Sequence, residues 1–110
     1  MSPNKFLGEF EQMILLAILQ SGDNANALEI RRELEASANR TVSKGAFYTT
    51  LDRLEKKEYM TWTAEAANGG RGGLPQRCFK VTPAGIAELQ KSREALMKLW
   101  RGLDHVLERR

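Results

Sequence analysis

The chain has 110 residues, 28% of them charged and 42% hydrophobic, with a net charge of +3. That length holds one domain with a modest core and excludes a large active-site cleft between domains. A single cysteine, Cys78, and a single histidine, His105, exclude an intrachain disulfide and a Cys/His metal site, and nothing in the composition implies a cofactor.

The cysteine usage fits a reducing compartment. The longest apolar run, Met13 to Leu19, is too short to cross a bilayer and no signal peptide is visible, so the chain is expected to be cytoplasmic with no membrane partner. Its charge is unevenly spread. Residues 1–42 hold four Lys/Arg against six Asp/Glu, residues 43–82 seven against four, and residues 83–110 six against four. The basic middle third suits a polyanionic partner.

In chain order, GEFEQMILLAILQSG is the first predicted helix. Its apolar residues, from Phe10 through Ile14 to Leu19, cover more than one face, so both the rest of the chain and a second subunit are expected to enclose it. Gly22, with Asp23 and Asn24, stops it. In ANALEIRRELEAS, residues Ala27, Ile30 and Leu34 share one helical face, while Glu29, Arg31, Arg32, Glu33 and Glu35 face water or a partner. The tract Asn39 to Val42 is a loop.

The segment SKGAFYTTLDRLEKKEY organises the rest. Ser43 is suited to cap a helix, and Phe47, Leu51 and Leu54 recur at i, i+4 and i+7 on one face. The opposite side carries hydroxyls and cations able to donate to phosphates and base edges, as a DNA reader helix requires. Two helices, a compact turn and this third helix match a helix-turn-helix pattern. Lys44, Tyr48 and Arg53 are assigned to phosphates, and Ser43 and Thr49 to base edges.

The period then changes to two. Met60, Trp62 and Ala64 alternate with Thr61, Thr63 and Glu65, and Cys78, Lys80 and Thr82 alternate with Phe79 and Val81, which predicts two strands. The glycine-rich tip between them, AANGGRGGLPQ, would carry Arg71, and with it Arg77, to a phosphate backbone or minor groove. Thr82 and Pro83 start the last helix with a hydroxyl cap and a proline at the first position. Ile86, Arg93, Trp100 and Leu107 are seven apart, with Leu89, Leu96 and Leu103 as a companion series, so a helix of roughly 40 Å would have a mostly apolar seam. A domain this small cannot cover such a seam. A homodimer is therefore expected, through Phe10, Ile14, Leu89, Leu96, Trp100, Leu103 and Leu107. Arg93 in the seam and Gly102 inside the helix argue against a regular coiled coil.

LGEFEQMILLAIL, VSKGAFYTTLDRLEKKEY and RCFKVTPAG together resemble the PadR family of bacterial transcriptional regulators over nearly the whole chain. The most specific pieces are Gly45, Tyr48, Leu51, Arg53, Leu54 and Glu55, and then Phe79, Thr82 and Gly85. The resemblance implies a mainly α fold with a small β-hairpin: a winged helix-turn-helix domain over 1–82, a dimerisation helix over 83–110, and repression at a pseudo-palindromic operator on double-stranded DNA, with Gly45 in the DNA-binding set. The chain departs from the family at Asn26–Leu28, at Lys57–Tyr59, where a glycine is common, and at Gly73–Gln76, where basic residues are common.

Nothing resembles a catalytic constellation, so an enzyme is not expected. The competing function class is a winged-helix module that binds protein without DNA. As for an input, Trp100 paired across a two-fold axis would flank a flat aromatic effector, and Cys78 is read as inert packing.

Overall fold

A computed structural model describes residues 6–65 and 76–108. The first helix, α1 (Glu9–Ser21), starts where the Gly8 N–H finds the Glu11 carboxylate at 3.0 Å, an orphan donor satisfied from within the first turn. It ends at Gly22, whose φ of 62° suits a residue without Cβ. After a single 3-10 turn (Gly22–Asn24), the Asn26 side chain caps α2 (Ala27–Ala38) by accepting from the Glu29 N–H at 2.9 Å. Asn39 closes α2 in the left-handed region, which asparagine tolerates better than most side chains.

Ser43 caps α3 (Lys44–Lys56) through the Ala46 N–H. Phe47, Leu51 and Leu54 on α3 are buried as their spacing requires, and they meet Ile14, Leu15 and Ile18 of α1 and Ile30 and Leu34 of α2 in one core. Burying each of these side chains contributes about 1.5–3 kcal/mol. Thr50 joins that buried face at little cost because its hydroxyl donates to the Ala46 carbonyl at 2.9 Å.

Strands β1 (Met60–Glu65) and β2 (Gln76–Val81) pair antiparallel, Met60 opposite Val81 and Glu65 opposite Gln76. Met60 and Phe79 close the core from this side. The Phe79 N–H donates to the Ala25 carbonyl at 2.9 Å, so the hairpin is pinned to the segment that leads into α2. The fold is mainly helical with a two-stranded hairpin, as expected.

The turn from α3 to β1 lacks the glycine its geometry favours. Glu58 takes φ 65°, a strained conformation for a residue with a side chain. Its carbonyl accepts from the Thr82 hydroxyl at 2.7 Å, and the Thr82 hydroxyl oxygen in turn accepts from the Gly85 N–H at 3.0 Å as the cap of α4 (Pro83–Trp100). Gly85 is needed for packing. A Cβ there would lie 2.3 Å from the Tyr59 carbonyl oxygen, so the first turn of α4 sits directly on the chain entering β1.

The expected 83–110 helix is corrected in one respect. It stops at Trp100, turns through Gly102 at φ 78°, and resumes only as α5 (Asp104–Glu108). The heptad spacing continues across the break, but a positive φ cannot belong to an α-helix. Leu103 and Leu107 therefore do not extend the Leu96–Trp100 seam along a common axis.

Candidate nucleic-acid interface

The core face of α3 fixes what its other face presents. Gly45, Thr49, Asp52 and Lys56, at i, i+4, i+7 and i+11, point away from the buried Phe47–Leu51–Leu54 side and are all exposed. Ser43 and Lys44 are exposed at the start of the helix, and Ser43 uses its hydroxyl oxygen on the Ala46 N–H at 3.2 Å. Around Gly45 a Cβ would meet nothing within 4 Å. Nothing in the fold therefore demands a glycine at a helical position where it costs about 1 kcal/mol relative to alanine.

The flanks differ. On the hairpin side, Tyr48 is half-buried with its ring edge-on to Phe47 at 5.2 Å, so it is a core-edge residue and not a free-standing arm. Arg77 lies beside it, its guanidinium carbon 5.0 Å from the Trp62 ring centre and 5.8 Å from that of Tyr48. Arg77 thus belongs to the tip-side end of the paired strands, opposite Ala64 in register. Arg71 lies outside the described residues. On the α1 side, Arg53 is exposed and lines a shallow cleft with Glu11 and Lys57. Burial pushes the Glu11 carboxyl up, but the Gly8 N–H, the Lys57 ammonium at 2.9 Å and the nearby Arg53 outweigh it and hold the carboxyl below its ordinary value. Lys57 is committed to this pair, which ties the end of α3 to the start of α1.

Two cations escaped the sequence reading. Arg40, in the α2–α3 loop, lies 4.9 Å from the Phe10 ring centre and 3.3 Å from Glu9. Arg31, read only as facing water or a partner, is half-buried 5.8 Å from the Phe47 ring centre. No local spacing announces either contact, because the ring each arginine meets lies at least 16 residues away in the chain.

The residues expected at a subunit interface divide in two. Ile14 is fully enclosed by its own chain, a correction to its place in that set, and Phe10 is half-buried beneath Arg40. Helical geometry turns Ile14 and Ile18 inward, and leaves Leu16 and Leu19 as the exposed apolar residues of α1. Those two and Leu89, Leu96, Met97 and Trp100 of α4 line an open groove of about 490 Å³. Leu103 and Leu107 are exposed beyond it.

Cys78 is half-buried, and desolvation together with Glu65 pushes its thiol up, away from the reactive thiolate. Among the described residues, no group of His, Cys, Asp and Glu could hold a metal ion, and no helix is long and apolar enough to cross a membrane.

The family model described as "Transcriptional regulator PadR-like family" matches residues 15–91. A comparison with curated proteins finds no match. Among solved structures, the chain is similar to a PadR-like transcription factor from Bacteroides fragilis, with 24% identity, 88% of each chain covered and a TM-score of 0.70. A PadR-like transcriptional regulator from Bacillus cereus gives 21% identity, covering 92% of this chain and 93% of that one, also at a TM-score of 0.70. The circadian clock associated protein Pex from Anabaena matches at 20% identity and a TM-score of 0.57, covering 97% and 89%.

Proposed function

The chain belongs to the PadR-like family of transcriptional regulators, and from that premise we propose that it binds double-stranded DNA sequence-specifically as a homodimer and represses transcription at a pseudo-palindromic operator. The observation that carries this reading is the outward stripe of α3, where Gly45 leaves a bare patch of helix backbone beside Thr49 and the exposed cap Ser43. A helix entering a major groove needs its leading turn unobstructed and its donors near base edges. Ser43 and Thr49 read bases, Gly45 permits close approach, and Lys44, Tyr48 and Arg53 hold phosphates. Arg71 and Arg77 act from the hairpin. Leu89, Leu96, Trp100, Leu103 and Leu107, joined by Leu16 and Leu19, bring the two subunits together and set the spacing of their α3 helices.

A salt-titrated gel shift on the DNA upstream of the protein's own coding region tests the reading. Lys44→Ala, Tyr48→Ala and Arg53→Ala together should abolish the shift, since each lost phosphate contact lowers the salt slope by about 0.9. Unchanged binding by the triple variant would sink the assignment of α3.

A further inference from the structure

Strand β2, the start of α2 and one flank of α3 line an open cleft of about 330 Å³, with Asn26, Arg31, Tyr48, Gln76 and Arg77 in its walls. Among the described residues its lining contains two guanidiniums and no carboxylate. The described ion pairs engage Arg32, Arg40, Lys57 and Lys91, and neither Arg31 nor Arg77 is among them. Both are instead held by rings, Arg31 at Phe47 and Arg77 at Trp62, Phe79 and Tyr48. An aromatic ring attracts a cation without neutralising it. Two unneutralised like charges facing one open cleft repel each other, and an anion between them reverses the sign of that interaction. The cleft also borders the N-terminal end of α2, a helix of 12 residues, where the backbone dipole favours negative charge.

We propose that Arg31 and Arg77 together seat one backbone phosphate of duplex DNA, so that α2 anchors the duplex beside the reader helix. The proposal rests on the DNA-binding reading of α3. Duplex DNA is the phosphate source that fits the position: Tyr48 forms a wall of the cleft, and its neighbour Thr49 lies on the open stripe, so a strand whose bases meet Thr49 has its backbone at this flank. A planar guanidinium grips phosphate oxygens through two parallel N–H donors, which a lysine in its place cannot do.

The test is fluorescence anisotropy of the full chain on its upstream duplex, titrated with KCl. Arg31→Met keeps an apolar stem over Phe47 and removes the charge. It should weaken binding about tenfold and lower the salt slope by about 0.9 per bound subunit. Arg31→Lys should retain the slope but regain only part of the affinity. Arg32→Met, whose native side chain is paired with Glu29, should change neither. Arg77→Met should repeat the slope change, and the double variant should lose no more slope than either single one, because one phosphate is lost in all three. An unchanged slope in Arg31→Met, or slope losses that add in the double variant, would overturn the shared seat. If Lys44→Ala still lowers the slope in that experiment, the reading of α3 stands without the cleft. Absence of salt-dependent binding by the unsubstituted chain would overturn both.

Discussion

The body of the protein and its C-terminal tail solve the problem of apolar surface in opposite ways. Among the described residues, every large hydrophobic side chain that is buried lies between Leu7 and Phe79, whereas the buried residues of α4 are Gly85 and Ser92. Leu96, Met97, Leu99 and Trp100 stand exposed on the same helix, Leu99 at 74%. The difference teaches that the winged body closes its core without help, and that the tail is attached through the first half of α4, at Gly85, Leu89 and Ser92, and carries an exposed apolar face beyond it. In water such a face carries a cost of about 25 cal/mol per Å² of apolar area, which association removes.

The largest expected effect tests the self-sufficiency of the body. Phe47→Ala should lose about 4 kcal/mol in urea denaturation, because a fully buried ring is replaced by a void. Leu96→Ala with Leu99→Ala should cost the body less than about 0.5 kcal/mol while raising the protein concentration at which sedimentation detects dimers. If the two experiments gave similar losses, the contrast between body and tail would be gone.

The attachment itself comes next. Gly85→Ala drives a methyl group to within 2.3 Å of the Tyr59 carbonyl oxygen, and should destabilise by about 3 kcal/mol as α4 is pushed off the chain entering β1. The smallest effect has the opposite sign. Glu58→Gly removes the side chain from a left-handed position and should stabilise by about 1 kcal/mol in the same denaturation assay, leaving the Thr82 contact to the residue 58 carbonyl in place.

Much of this was legible in the chain because local chemistry and long-range packing agree. Ser43 and the Phe47–Leu51–Leu54 spacing predict α3 and its buried side, and Thr82–Pro83 predicts the start of α4, as found. What was not legible depended on which surface an apolar or charged residue meets. Periodicity places Ile14 on an apolar face but cannot say whether that face meets its own chain or another. The heptad register runs through Gly102 because spacing carries no information about φ. Glu11 is a carboxylate in an apolar stretch, and its burial is made tolerable by the Gly8 N–H and by Lys57, which arrives from 46 residues away. Arg31 reads as a solvated helix cation until the fold brings it against Phe47 and into one cleft with Arg77.

One oxygen, the Thr82 Oγ, touches three parts of the chain at once. It donates to the Glu58 carbonyl in the turn after α3, accepts from the Gly85 amide in the first turn of α4, and belongs to the residue that follows β2. Any displacement of the start of α4 is therefore delivered to the turn at the end of α3, through a coupling a few ångströms long. Loss of that one hydroxyl would uncouple the two helices at both ends of the link, as removing a pin frees a hinge.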